Sequence, residues 1–178
     1  MSIKLLEECF DTARGHLETA DRWKNSKYEC IKTASTTAKG KFGEVFTTTL
    51  LNGIGIESTV VNGGKGDFDI ELTDLGITFE HKLATIDTND YFQINAIDKN
   101  KNYDYVFCLG ITPNKMVFDI IPKSWLKKHL TTNMTKAKGG YKLMRRIDSM
   151  IELTEINLRN KLEELNIGRK LNFTTILS

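Results

Sequence analysis

Acidic and basic side chains alternate with apolar ones in the stretch 66–82, GDFDIELTDLGITFEHK. This alternation is typical of two strands joined by a short turn, with polar side chains on one face and apolar side chains on the other. If the turn closes over residues 73–76, Asp69 lies opposite Glu80, and Lys82 follows on the same face. Opposed side chains of an antiparallel pair are about 4.5–5.5 Å apart at Cβ. Two carboxylates that close repel unless a cation bridges them or one is protonated.

Two interpretations of this face remain open from the pattern alone. Carboxylate oxygens suit Mg²⁺, which binds a few acids and keeps several waters. A lysine beside such a site could orient a water or stabilise the charge that builds on an attacked phosphate. The alternative is a solvated amphipathic hairpin whose acids face water and whose apolar side chains face the core.

The bulk composition places few limits on the partner. The chain has 178 residues, 40% of them hydrophobic and 27% charged, which predicts one globular domain over residues 1–178. No apolar run approaches the roughly 20 residues of a membrane helix, and the start MSIKLLEECF lacks the apolar core of a secretory signal. Three cysteines without metal-type spacing favour reduced thiols, so we expect a cytoplasmic protein with no membrane partner.

Hydrophobic periodicity predicts an α/β fold with a mixed central β-sheet flanked by helices. The second helix is expected to turn Phe42, Val45, Phe46, Thr49 and Leu50 inward. The predicted helices span residues 3–24, 37–51, 88–98 and 148–166, with a further helix after Ser124, and the predicted strands span 57–61, 68–72, 77–83, 103–111 and 116–121.

The ordered context of these residues resembles a known family. From about residue 39 to residue 121 the chain resembles the core of the PD-(D/E)xK nuclease superfamily, which includes most type II restriction endonucleases. Asp69 matches the metal-binding aspartate of that family, and residues 80–82 (Glu-His-Lys) match its (D/E)xK element. Glu44, in the sequence KFGEVF, matches the glutamate often found on the preceding core helix. The resemblance implies a restriction-endonuclease-like core.

The resemblance also implies a role for each residue. Asp69, Glu80 and the backbone carbonyl of His81 would bind Mg²⁺, and Lys82 would act on the nucleophilic water. Glu44 would orient water or a second ion.

One feature departs from the family pattern, because no proline precedes the aspartate. Asp67 is a rival for the aspartate role. We favour Asp69 because it lies opposite Glu80 in the expected register, and because Ile70 and Leu72 continue its strand as in the family.

Charge is unevenly distributed along the chain. The segment 123–146 contains eight basic residues and no Asp or Glu, which suggests a face for a polyanion, although a solvated helix and loop would give the same pattern. Hydroxyls and lysines before the Glu44 helix could also contact phosphates. The candidate DNA-binding residues are Lys39, Lys41, Gln93, Lys136, Lys138, Lys142, Arg145 and Arg146.

These features together predict a Mg²⁺-dependent type II restriction endonuclease that hydrolyses double-stranded DNA at a short palindromic site. One active centre per chain cuts one strand, so we expect a homodimer. The alternatives are a structure-specific nuclease of the same superfamily, such as a Holliday junction resolvase, and a non-catalytic DNA-binding protein that keeps only the fold.

Overall fold

The structure, a computed structural model, describes residues 22–61, 66–130 and 132–167. The predicted first helix, residues 3–24, lies outside these ranges except for its last three residues, which form a turn. The helices are α1 (Glu29–Thr33), α2 (Thr36–Gly53), α3 (Lys123–His129) and α4 (Glu155–Glu164). The strands are β1 (Ser58–Val60), β2 (Ile70–Leu72), β3 (Ile77–Thr85), β4 (Tyr91–Ile97), β5 (Tyr105–Ile111), β6 (Met116–Pro122), β7 (Met134–Ala137), β8 (Gly140–Arg146) and β9 (Ile151–Glu152).

The expected α/β architecture with a mixed sheet is confirmed. Six strands form one sheet in the order β1-β2-β3-β5-β6-β9, in which β3 and β5 are parallel and the other pairs are antiparallel. Strands β4, β8 and β7 form a second, antiparallel sheet. The second sheet contacts the first where β5 has a glycine, because a Cβ at Gly110 would lie 2.9 Å from the ring of Phe92 on β4.

Helix α2 begins as the sequence predicts, with the Ser35 hydroxyl accepting a hydrogen bond from the Ala38 N–H at 3.2 Å. The predicted inward face of this helix is wrong at Phe42, which is 37% exposed, at Val45, which is 50% exposed, and at Thr49, whereas Phe46 and Leu50 are half-buried and pack against the core. The helix instead buries Gly43, Thr47, Thr48 and Leu51.

A close approach between α2 and β3 explains the choice of face. A Cβ at Gly43 would lie 2.4 Å from Cε1 of His81 and 3.3 Å from Cβ of Leu83, so only glycine lets the helix lie this close to the sheet. Beneath it, His81 stacks on Phe107 with ring centroids 5.7 Å apart, and Phe107 stacks on Phe118 at 5.9 Å. Glycine at position 43 therefore faces the aromatic layer, while Phe42 and Val45 are exposed.

The helix predicted over residues 88–98 is wrong, because most of this segment forms strand β4. The Asp87 carboxylate, expected to cap a helix, accepts hydrogen bonds from the N–H groups of Asn89 and Tyr91 at 2.9 Å each and so closes a turn. Burial then alternates along the strand, with Phe92 and the residue two positions later buried. A period of two gives a half-buried strand rather than a helix.

The region near the carboxyl end also differs from the predicted elements. The segment 135–141, where the sequence predicts no helix or strand, lies in the β7–β8 hairpin. The helix predicted over 148–166 is shortened to α4, because β9 pairs with β6 and Thr154 then accepts a hydrogen bond from the Asn157 N–H at 3.2 Å to start the helix.

Within residues 22–61, 66–130 and 132–167, no helix combines the length and the hydropathy that a membrane crossing requires.

Candidate active site

The β2–β3 hairpin has the register that its residue pattern predicts. Ile70 pairs with Phe79 and Leu72 with Ile77, so the expected register is confirmed for the three residues of β2. Asp69 lies directly before β2: its N–H donates to the Phe79 carbonyl at 2.9 Å, and its carboxylate accepts from the His81 N–H at 2.8 Å. Asp69 is therefore held by the backbone of β3 beside Glu80, although the regular strand pairing ends at Ile70.

Glu80 is a buried acid with two cationic partners. Its side chain is 1% exposed, while Lys82 Nζ lies 2.5 Å from Oε1 and Lys101 Nζ lies 3.2 Å from Oε2. Burying a carboxylate costs a large desolvation free energy unless cations or hydrogen bonds compensate it. The two lysines supply that compensation.

Lys101 is the residue that sequence reasoning missed. It lies in the loop between β4 and β5, where the sequence suggested only the end of a helix, and no local spacing connects it to Glu80. The loop is fastened to β3, because the Asp104 carboxylate accepts from the Thr78 N–H at 2.9 Å and from its hydroxyl at 3.0 Å. Lys123 on α3 donates from its ammonium group to the Lys101 carbonyl.

Glu44 on α2 lies in the same electrostatic environment. Burial raises the pKa of its carboxyl most, and the charges of Asp69 and Glu80 raise it further, while Lys82 and Lys41 lower it. The charges of Asp69, Glu80 and Lys82 therefore act on Glu44 through space.

The imidazole of His81 belongs to the core and not to the acid cluster. Alternate residues of a strand point to opposite faces, so the ring lies on the α2 side of the sheet. There Nε2 is 3.0 Å from the Thr47 hydroxyl, and burial, followed by the charge of Lys82, lowers the pKa of His81 to about 3. The ring is turned away from Glu80 and engaged by Thr47 and Phe107, which leaves the backbone carbonyl as the group that the family resemblance would assign to the metal.

The donor set of the site fits a hard divalent cation. Asp69, Glu80 and Glu44 offer carboxylate oxygens, which Mg²⁺ prefers, and Mg²⁺ commonly keeps several waters instead of demanding a complete set of protein ligands. Within residues 22–61, 66–130 and 132–167, no group of three or more His, Cys, Asp or Glu side chains is arranged to hold a metal ion. The charge of the buried Glu80 carboxylate is compensated instead by Lys82 and Lys101.

The two basic candidates on α2 differ in their surroundings. Lys39 is half-buried and donates to the Lys32 carbonyl at 3.0 Å, and burial together with the charge of Lys32 lowers its pKa. Lys41 is exposed, and its charge lowers the pKa of Glu44. Of these two lysines, Lys41 is the one that is exposed to solvent and whose charge also acts on Glu44.

The second sheet collects most of the other DNA-binding candidates. Gln93 on β4 lies opposite Met144 on β8, and both are exposed. Lys136 and Lys138 are exposed on the β7–β8 hairpin, and Lys142 is half-buried on β8. This grouping of an amide with lysines depends on the pairing of β4 with β8.

The two adjacent arginines of β8 have different environments. Arg146 is exposed, lies 3.1 Å from the Asp148 carboxylate, and has its guanidinium 5.8 Å from the centre of the Tyr91 ring. Arg145 points inward and contacts the Asp119 carboxylate on β6, to which Lys161 of α4 also approaches within 3.9 Å. Arg145 is thus engaged inside the fold.

The chain matches no family model, and no curated protein matches it. The function is therefore inferred from the residues themselves.

Proposed function

We propose that the protein is a Mg²⁺-dependent deoxyribonuclease that hydrolyses phosphodiester bonds of double-stranded DNA at a short palindromic site, as type II restriction endonucleases do. One observation carries the proposal. The Asp69 carboxylate is held at 2.8 Å by the N–H of His81, the residue next to Glu80, while Lys82 Nζ lies 2.5 Å from Glu80 Oε1 and both acids raise the pKa of Glu44. Acids of this kind beside a lysine suit phosphoryl chemistry, in which positioning and charge stabilisation do most of the work.

Each residue has a role that its surroundings allow. Asp69 and Glu80 would hold the cation through oxygen atoms, together with the backbone carbonyl of His81. The Mg²⁺ supplies Lewis-acid polarisation of a phosphoryl oxygen when it is bound. Lys82, half-buried at the same carboxylate, would orient the attacking water and stabilise negative charge on the phosphate. Glu44, whose raised pKa favours a proton, would hold a water by hydrogen bonding.

The exposed basic residues support DNA as the substrate. Lys41 lies on the α2 surface near Glu44, and the lysines of the β7–β8 hairpin provide further cations that can neutralise phosphates. Gln93 and Arg146, exposed on the second sheet, have the donor groups that read base edges. A homodimer would present two active centres to the two strands of a palindrome.

Incubation with Mg²⁺ and two substrates tests the proposal. Supercoiled plasmid DNA and a synthetic four-way junction are treated separately with the full-length chain. Discrete plasmid fragments, identical from one preparation to the next, are the expected result. Cleavage of the junction alone would replace the proposal with a resolvase, and binding of DNA without cutting either substrate would replace it with a DNA-binding protein.

A further inference from the structure

Two lysines compensate Glu80, but they reach it from different parts of the fold. Lys82 is two residues along the same strand, so its place beside the carboxylate is set by β3. Lys101 comes from the β4–β5 loop, and its side chain is 31% exposed. Its ammonium group contacts both carboxylate oxygens, at 3.3 Å from Oε1 and 3.2 Å from Oε2. Lys101 therefore occupies the oxygens of Glu80 and is also open to solvent.

The backbone of Lys101 is fixed while its side chain can turn. The Lys101 carbonyl accepts from the ammonium group of Lys123, and the loop continues to Asp104, which is hydrogen-bonded to Thr78 on β3. A lysine side chain has a flexible four-carbon stem that ends in a compact charge. The ammonium group can thus exchange one anion for another nearby without movement of the backbone.

We propose that Lys101 makes divalent-cation binding at this site depend on DNA. Lys101 holds Glu80 while DNA is absent, and it transfers to a backbone phosphate when DNA binds, which frees Glu80 Oε2 for the cation while Lys82 stays at Oε1. This inference rests on the proposed nuclease function and adds a regulatory residue to the same site. Lys101 is a positioning residue while it holds Glu80.

The energetics of the exchange follow from competition for one carboxylate. A cation that binds to Glu80 without DNA must displace an ammonium group and leave that group without an equivalent partner. A phosphate provides the replacement partner, so DNA lowers the free-energy cost of cation binding. Coupling of this kind is reciprocal, and the cation must strengthen DNA binding by the same factor.

Calorimetric titration of the full chain with Mg²⁺, without DNA, tests the inference. Lys101→Gln removes the competing charge, and we expect it to bind Mg²⁺ about tenfold more tightly than the wild type, a typical coupling between two ligands. Lys99→Gln is the matched control, because it removes an equal charge from the same loop but lies over the Tyr141 ring, 6.0 Å from its centre. Equal Mg²⁺ affinities of the two variants would overturn the inference.

The reciprocal effect is measured by fluorescence anisotropy of a labelled DNA duplex with and without Ca²⁺, a hard cation that also prefers oxygen ligands. Ca²⁺ should strengthen DNA binding by the wild type, by Lys99→Gln and by the charge-conserving Lys101→Arg, and this gain should shrink to less than about twofold in Lys101→Gln. A full gain in Lys101→Gln would contradict the exchange.

The outcomes separate this inference from the proposed function. If the wild type cuts DNA and the two glutamine variants bind Mg²⁺ alike, only the role of Lys101 fails. If the wild type neither binds Mg²⁺ nor cuts DNA, both fail. Should Lys101→Gln not fold, NMR of ¹³C-labelled lysines in the wild type decides: the Lys101 Cε signal should move when duplex DNA is added, and a signal that stays in place would overturn the exchange.

Discussion

Two buried carboxylates lie on the same face of the six-stranded sheet, and each contacts two cations. Glu80 on β3 is 1% exposed, and Asp119 on β6 is 11% exposed. They share a face because Asp119 pairs through Cys108 of β5 with Lys82, two residues from Glu80. As isolated ion pairs they would look alike.

Their surroundings separate them. The charge of Glu80 acts together with that of Asp69 on the pKa of Glu44. Asp119 instead receives Arg145 from the second sheet and Lys161 from α4, and thereby joins three elements. A buried ion pair alone does not indicate catalysis, whereas further acids whose charges act together beside a lysine are what the proposed nuclease site requires.

The largest expected effect is a loss of DNA cleavage when Asp69, the acid beside Glu80, loses its charge. Asp69→Asn keeps the oxygen that accepts from the His81 N–H but removes the charge, so DNA cleavage should fall by about 10³-fold. Thermal unfolding should change little. Single-turnover cleavage rates with saturating protein measure the effect.

Asp67→Asn is the matched control, since Asp67 is exposed in the segment before β2. Its cleavage rate should stay close to that of the wild type. If the Asp67 variant lost cleavage and the Asp69 variant retained it, the two aspartates would exchange roles.

The next largest effect is a loss of unfolding free energy when Asp119 loses its partner Arg145. Arg145→Met leaves the Asp119 carboxylate with only the more distant Lys161, and removing one partner of a buried pair costs about 3 kcal/mol of unfolding free energy. The neighbouring Arg146→Met, at an exposed pair with Asp148 that solvent screens, should cost clearly less than Arg145→Met. Urea denaturation compares the two variants directly. Equal losses of unfolding free energy would remove the distinction between the buried Arg145–Asp119 pair and the exposed Arg146–Asp148 pair.

The buried side chain of His81 on β3 should make the free energy of unfolding depend on pH in acid. Its folded pKa is lowered to about 3 from 6.5, so between those values the unfolded chain binds a proton that the folded chain does not. The free energy of unfolding should therefore fall as pH drops from about 6.5 towards 3, by up to about 1.4 kcal/mol per pH unit. NMR titration of the imidazole should give a midpoint well below pH 5; a midpoint near 6.5 would place the ring in water.

The smallest effect concerns Glu44. Its raised pKa means that the folded chain holds the proton more tightly, so this stabilisation is present below its ordinary pKa of 4.5 and is lost as pH rises through the folded value. Glu44→Gln should slightly raise the unfolding temperature at neutral pH, and the gain should disappear in acid. Glu57→Gln, at an exposed position in the segment between α2 and β1, should show no such pH-dependent gain.

The part of the site that the sequence predicts correctly is local. The turn at 73–76 and the alternation on either side of it determine the register, so the pairing of Ile70 with Phe79 and of Leu72 with Ile77 follows from the sequence pattern. The α/β class with its mixed sheet follows from the order of periodic segments in the same way.

The parts that it misses depend on contacts distant in sequence. Lys101 reaches Glu80 across 21 positions, and Arg145 reaches Asp119 across 26, with no local signal for either. The buried face of α2 was mispredicted because the apolar stripe with Phe42 points outward, while Gly43 allows the close approach to the sheet. A hydrophobic period locates a helix but does not fix its buried face when a glycine permits closer packing on another side.

The central claim is that Lys82 acts in phosphodiester hydrolysis and does more than neutralise Glu80. Single-turnover cleavage of plasmid DNA by Lys82→Met, at saturating protein and Mg²⁺, tests it most directly, because Lys101 still compensates the buried carboxylate and keeps the chain folded. Cleavage should fall by about 10²-fold or more while DNA affinity stays near that of the wild type. Cleavage by Lys82→Met at the wild-type rate would contradict the claim.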